Sequence, residues 1–363
     1  MIVQENVSLA PLTTLGVGGK ARFFVEATTV AEVEEALAFA RAHSLPVFVL
    51  GGGSNIVIAD SGFDGLVLAP RMANIIFSKQ GDFVLATAGA GVVWDKFVAQ
   101  AVARGYVGME YLSGIPGTVG GAIVANLGAY GAQASDTFVN ADVLDYGSVE
   151  SGTMRVFEKD ACNFSYHDSI FSHANGRYIV LEARFKLYAS GTSRFSYQGN
   201  RFDLTALATA LGHEPTQEEV RTAILKMRAE KGMLADSYQS AGSFFHLPFV
   251  SAEKYAETLA KASALDAGKE ERLRPWAWKQ PNGSYKLASG FLLEYTEFQR
   301  GYVRGPVGIS SKHTLAIINL GDARAADVAA LARDMQDAVA NIFGIRLERE
   351  VEYVGNVEMP EIV

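Results

Sequence analysis

Cys162 is the only cysteine in a chain of 363 residues. A single thiol forms no intramolecular disulfide, so nothing in the sequence asks for an oxidising compartment. It also excludes CxxC redox pairs and thiolate zinc sites. Excess positive charge is missing too. The net charge is −8, which leaves no basic face of the kind that binds nucleic acid by releasing counterions. A few local lysines still suffice for a small anion. No apolar run is long enough to span a bilayer. The opening stretch MIVQENVSLAPL has no cationic segment followed by an apolar core. The expectation is therefore a cytoplasmic protein without a signal peptide, making no contact with membrane or nucleic acid. No histidine pair has helical ligand spacing, which predicts no metal.

What the chain does hold is an ordinary globular balance, 49% hydrophobic and 20% charged residues, at a length that predicts two or three domains. Its first third alternates strands and helices. Ala21 to Ala27 reads as a strand, and Thr29 to His43 as an amphipathic helix with Thr29 as N-cap and Val30, Val33, Leu37 and Ala40 on one face. Short strands are expected at 45–50, 55–59, 65–69, 74–78 and 83–88, then a helix at 92–104. Further strands are expected at 138–145, 178–187, 314–319 and 346–353, and helices at 217–231, 252–264, 287–295 and 326–343. Residues 189–200 and 265–282, rich in turn formers and charge, read as excursions or linkers.

Two glycine loops stand out: GGGSN at Gly51 to Asn55 and IPGTVGG at Ile115 to Gly121. Glycines after a strand let backbone N–H groups approach a pyrophosphate with no Cβ in the way. A Rossmann loop would need a helix directly after the glycines. Here Asn55-Ile56-Val57-Ile58 is strand-like. A phosphate at GGGSN would sit in a strand–loop–strand nest, and by itself the motif fits a tight turn equally well. The second loop, followed by Gly128 and Gly131 flanking Tyr130, and the upstream TTLGVGGKA give the pattern its weight.

These loops belong to a longer series: TTLGVGGKARF, LGGGSNIVI, LSGIPGTVGGAIVANLGAYG, YHDSIF at Tyr166 to Phe171, AGSFF at Ala241 to Phe245, and LEREVEYVG at Leu347 to Gly355. In this order, and over nearly the whole chain, they resemble the UDP-N-acetylenolpyruvoylglucosamine reductase family, flavoproteins of bacterial wall synthesis. The resemblance implies an α+β fold: a two-subdomain FAD-binding cradle of the vanillyl-alcohol-oxidase type plus a C-terminal αβ substrate-binding domain. The implied divisions are residues 1–70 with 345–363, residues 71–230, and residues 231–344. It implies non-covalent FAD, NADPH as hydride donor, and a UDP-sugar substrate; the chain is expected to be a monomer. No histidine or cysteine in either loop is available for covalent flavin attachment.

Residue by residue, the resemblance places cofactor contacts at Gly51, Gly52, Gly53, Ser54, Asn55, Ile115, Pro116, Gly117, Gly120, Gly121, Ile123 and Arg228. Tyr130, Tyr166, Lys231 and Lys286 fall at substrate positions, and so does Tyr197, on the closing loop of the longer-loop class. Ser243 matches the proton donor; from its neighbours alone it fits a serine capping a turn before Phe244. Glu350 matches the acidic group that polarises the substrate carboxylate. Only the family register selects it from Glu348, Glu350 and Glu352, which share a face of the expected strand.

Three positions depart from the pattern. His167 stands where the family has an arginine, a permanent forked cation that an imidazole does not reproduce. Three readings stay open: His167 held cationic by Glu350 or by the substrate, Arg177 reaching in, or altered activity. Leu247 replaces an asparagine and Tyr295 a position that is often glutamine. The implied activity is reduction of the enolpyruvyl ether of UDP-N-acetylglucosamine to UDP-N-acetylmuramate, with hydride from the flavin and a proton from Ser243. The alternatives are an FAD-dependent sugar or alcohol oxidase on the same cradle, and a catalytically impaired flavin- or UDP-sugar-binding protein.

Overall fold

The structure is a computed structural model and describes residues 1–147, 152–174, 176–191, 202–234, 237–265 and 268–357. The fold is α+β, as expected, and the chain divides into two compact units. The first is Met1–Val7, Ala21–Gly53 and Phe63–Ala229; the second is Ser8–Lys20, Ser54–Gly62 and Glu230–Val363.

In the first unit a four-stranded sheet has the order Gln4–Ser8, Lys20–Ala27, Phe63–Pro70, Val47–Val49. Lys20–Ala27 and Val47–Val49 both run parallel to Phe63–Pro70. Parallel pairing needs a crossover, and helix Val30–Ala42 supplies one. The Thr29 side chain caps it, accepting from Glu32 N–H. Its buried face is Val33, Ala36, Leu37 and Ala40. Val30 is exposed, against expectation, because as the first helical residue it precedes the turn that meets the core.

An antiparallel five-stranded sheet completes this unit, in the order Thr153–Glu158, Phe138–Asp145, Tyr178–Tyr188, Phe83–Gly89, Ile75–Gln80. Helix Trp94–Val102 buries Trp94 and Phe97 against Phe185, with ring centroids 5.9 and 5.4 Å away. Full burial of rings this size stabilises by about 1.5–3 kcal/mol each, so this aromatic knot anchors the helix whose first residue, Trp94, donates its N–H to Gly117 O of IPGTVGG.

The second unit is organised on helix Ala325–Phe343, whose buried stripe includes Val328, Leu331, Met335 and Val339. The Asp60 carboxylate accepts from the N–H groups of Ala325 (2.8 Å) and Ala326 (3.1 Å), meeting the unsatisfied donors of that helix start. Asp60 lies just past strand Ile56–Ile58, which confirms that GGGSN runs into a strand and not a helix.

Three expectations need correction here. The last strand is Glu352–Val354, paired parallel with Ile56–Ile58, and does not span 346–353. Among the described residues, those before it form a single isolated bridge, Phe245 with Arg349, in place of a continuous ladder. The helix expected at 287–295 is Ser289–Leu293, because Leu287 belongs to strand Tyr285–Leu287. Residues 265–282 are not merely a linker: they contain helix Lys269–Leu273 and strand Ala277–Lys279, which pairs with Tyr285–Leu287.

Candidate active site

Within the first unit the glycines of the two loops pack on each other. A β-carbon at Gly52 would lie 2.6 Å from Gly117 Cα, and one at Gly51 would lie 3.1 Å from Thr118 Oγ1. Gly117 itself has a φ of 116°, a left-handed conformation that only glycine adopts freely. IPGTVGG then enters the short helix Val119–Val124, capped by Thr118. Val119 N–H donates to Val92 O (2.9 Å) and Gly120 N–H to Ala90 O (3.0 Å), while the Gly121 N–H is directed at Thr118 Oγ1 (3.4 Å). The Val119 and Gly120 amides are committed inside the protein, so an anion on this loop would meet its other amides, the long-bonded Gly121 N–H among them. Ile123 is fully buried in the core.

Arg228 holds the loop from behind. It is 4% exposed, and its Nε donates to Gly114 O at 3.1 Å. Burial pushes its guanidinium toward lower basicity, opposed by the Tyr130 hydroxyl beside it. The other side of the same residue is held by Asp95, which accepts from Gly114 N–H at 2.5 Å and takes a bidentate pair from Arg221 at 2.6 and 2.8 Å. Burial raises the Asp95 carboxyl, but the bonds from Arg221 and Gly114 outweigh it and the net shift is downward. Asp95 and Arg221 were not legible as site residues, since nothing local marks the pair. Glu110, just upstream, is fully buried; Oε2 accepts from Gly108 N–H at 2.7 Å, and Oε1 has no hydrogen-bond partner among the described residues. A buried acceptor of that kind is satisfied when a donor binds.

The YHDS turn is tied to the same region by Asn126. Its Nδ2 donates to Ser165 O (2.7 Å) and Gln133 Oε1 (3.0 Å), and its Oδ1 accepts from Ser135 N–H (3.1 Å). Tyr130 and His167 both have a φ of 52°. Non-glycine residues held there cost of order 1–3 kcal/mol, and such strain concentrates at functional positions. The Tyr166 and His167 rings meet edge to face at 4.4 Å. Arg177 does not reach in as a substitute cation. It makes a bidentate pair with the fully buried Asp145, at 2.8 and 3.0 Å.

The second unit brings Ser243 and Glu350 together although they are far apart in sequence. Phe244 and Phe245 are buried and fix AGSFF in place. Glu350 N–H donates to Phe244 O (3.0 Å), next to Ser243, and His246 N–H donates to Glu348 O (2.9 Å). Asn55 Nδ2 donates to Glu350 O at 3.2 Å, and Glu352 N–H donates to Asn55 O at 3.1 Å. The Glu350 side chain is 21% exposed, whereas Glu348 and Glu352 are exposed residues. Burial pushes its carboxyl up to about 7, against the opposing pull of Lys286. Lys286 lies on strand Tyr285–Leu287, over the Phe249 ring at 5.4 Å. His246 Nδ1 stands 3.7 Å from Glu350 Oε2, a neighbour the sequence pattern did not indicate.

Both regions of the chain match families of known proteins. An FAD binding domain family covers residues 21–149, and the C-terminal domain family of UDP-N-acetylenolpyruvoylglucosamine reductase covers residues 234–354. The reductase of that name from Thermobifida fusca is 39% identical over 97% of this chain and 98% of its own. The one from Nocardia farcinica is 41% identical over 97% of this chain and 90% of its own. The chain belongs to the UDP-N-acetylenolpyruvoylglucosamine reductase family. A crystal structure of the reductase from Thermus caldophilus, 25% identical, matches 98% of this chain and 100% of its own with a TM-score of 0.64.

Other positions singled out for this reductase are placed as follows. Lys231 follows helix Gln217–Glu230 and is half-buried. Tyr197 lies outside the described residues. Leu247 is half-buried beside His246, and Tyr295 packs on Phe343 and Phe291. Cys162 is buried, and burial pushes its thiol up to about 12, which leaves no reactive thiolate. Among the described residues no group of histidine, cysteine or carboxylate side chains is arranged to hold a metal, and no helix is long and apolar enough to cross a membrane.

Proposed function

We propose that this chain reduces the enolpyruvyl ether of UDP-N-acetylglucosamine to UDP-N-acetylmuramate, a step toward peptidoglycan, acting as a monomer in the cytoplasm. The observation that carries the reading is the backbone ladder that puts Ser243 beside Glu350. The residues present fit FAD: glycine loops whose contact a β-carbon would block, and the buried acceptor Glu110 Oε1. Gly51, Gly52, Gly53, Ile115, Pro116, Gly117 and Gly121 would hold it, with Arg228 fixing the loop behind them. When bound, FAD supplies the hydride, which it takes from NADPH.

The chain's own groups do the rest. Ser243 Oγ gives its proton to the carbon that carries the carboxylate, a transfer in which geometry matters more than the weak acidity of a free hydroxyl. Glu350, kept protonated near neutrality by burial, donates to the substrate carboxylate as negative charge builds there. Lys231 and Lys286 meet the diphosphate. Tyr130, Tyr166 and His167 approach the sugar and its carboxylate, His167 as imidazolium in place of the arginine. The test is anaerobic: bleach the yellow protein with NADPH, add UDP-N-acetylglucosamine enolpyruvate, and follow flavin absorbance. Rapid return of colour is expected, and a flavin that stays bleached sinks the reading.

A further inference from the structure

We propose that His246 is a positioning residue that sets the protonation of Glu350, the imidazole and the carboxyl competing for one proton across the ladder joining residues 244–246 to residues 348–350. This rests on the role given to Glu350 above. His246 Nδ1 lies 3.7 Å from Glu350 Oε2, and both backbones are fixed: His246 N–H to Glu348 O at 2.9 Å, Glu350 N–H to Phe244 O at 3.0 Å. Phe244 and Phe245, 0% and 1% exposed, anchor one segment, and Asn55 Nδ2, 3.2 Å from Glu350 O, anchors the other. The pair does not depend on long flexible side chains finding each other.

The charges around Glu350 make His246 the variable one. Lys286, from strand Tyr285–Leu287, lies over the Phe249 ring, and its charge pulls the Glu350 carboxyl downward. On Glu350's own segment, Arg349 stacks its guanidinium 3.7 Å from the Tyr353 ring centroid, and Glu348 is exposed. Glu352, two residues on, has its carboxyl raised by burial; among the described residues the imidazole is the neighbouring base whose charge ordinarily changes in the physiological range. Groups this close titrate as a pair, in two steps that belong to neither alone. While His246 is cationic it favours the Glu350 carboxylate; once neutral it no longer opposes a protonated Glu350. The imidazole therefore narrows the pH range over which Glu350 carries its proton.

The test is the pH dependence of kcat and KM in flavin-loaded His246→Gln and His246→Lys. If Glu350 acts protonated, the alkaline limb of kcat moves up by about 1 pH unit in His246→Gln and down by about 1 pH unit in His246→Lys, the sizes expected for removing or fixing a neighbouring charge. A merely structural histidine would give losses without opposite shifts, and limbs that move together or not at all overturn the proposal. A second measurement needs no turnover: an NMR titration of the His246 ring in the wild-type holoenzyme and in Glu350→Gln, with the resonance assigned by its loss in His246→Gln. The His246 midpoint should fall by about 1 pH unit when the carboxylate is removed, and an unmoved midpoint rejects the pairing. If the midpoint falls but no turnover is seen, the pairing stands and the reductase reading fails.

Discussion

Gly121→Ala separates what the protein requires of the second glycine loop from what a ligand requires. A β-carbon at Gly121 meets only Thr118 Oγ1, at 3.6 Å, an ordinary contact. The residue lies inside helix Val119–Val124, so alanine fits the backbone. Removing glycine's freedom from the unfolded chain should stabilise the apoprotein by about 0.4–1 kcal/mol. That corresponds to a rise in Tm of roughly 0.5–1.5 °C for a chain of this length. Gly52→Ala is the opposite case. Its β-carbon would lie 2.6 Å from Gly117 Cα and 3.0 Å from Gly117 C, backbone atoms that cannot swing aside. It should lose about 1–3 kcal/mol with or without flavin. If the flavin pyrophosphate crosses the loop at Gly121, a methyl there brings a similar penalty to the complex alone, weakening FAD binding by about 5- to 150-fold. The assay is paired: thermal melts of flavin-stripped protein, and titration of each apoprotein with FAD. A Gly121→Ala variant that melts higher and binds FAD with wild-type affinity would falsify the contact at that residue.

Other perturbations follow from the same contacts. Glu350 has its carboxyl raised to about 7 in the folded chain; the folded state therefore binds that proton more tightly than the unfolded one, and stability is lost as pH rises from 4.5 to 7. Glu350→Gln escapes this loss, so it should be more stable than wild type at pH 8.5 by up to about 3 kcal/mol and several-fold less so at pH 5; urea melts giving a pH-independent difference would contradict the raised carboxyl. Asp95→Ala removes the acceptor for Gly114 N–H and the partner of Arg221; a loss of about 1–3 kcal/mol and faster flavin release are expected, and stopped-flow release at the wild-type rate would show that Asp95 does not hold the loop. His167→Arg should keep turnover and flatten its decline at alkaline pH, because guanidinium keeps its charge. Identical pH–rate curves in His167→Arg and His167→Ala would remove His167 from the mechanism.

Local features were readable from the sequence, because the atoms that satisfy them are close along the chain. Thr29 caps its helix through Glu32, three residues on. The glycine loops are marked by composition, and the strand-like run after GGGSN is itself incompatible with a Rossmann loop. What could not be read depends on distant partners. The apolar alternation of LEREVEYV predicts a long strand, yet ladder bonds exist only where a neighbour offers them, and Ile56–Ile58 offers them only to Glu352–Val354. Asp95 with Arg221, Asn126 with Ser165, and His246 with Glu350 are pairs that no periodicity or motif marks. The positive φ at Tyr130 and His167 was equally hidden, since non-glycine residues adopt it in only a few per cent of cases, histidine more often than tyrosine.

Asn55 shows how far a motif's name can stand from its physical work. Read in the sequence, GGGSN is one phosphate-binding element, and its asparagine is one more donor to the cofactor. In the structure the division between the two units falls between Gly53 and Ser54. The glycines serve the first unit by allowing the close approach of Gly117. The asparagine serves the second: its side-chain amide donates to Glu350 O and its carbonyl accepts from Glu352 N–H, so it holds the acidic segment at both ends. Such a tie is worth about 0.5–1.5 kcal/mol per hydrogen bond, small for stability. If Glu350 donates to the substrate carboxylate as proposed, misplacement matters more, since a shift of 1 Å costs on the order of 100-fold in rate. The motif therefore divides its work: its glycines allow the approach of Gly117 within the first unit, and its asparagine fixes the Glu350 backbone within the second.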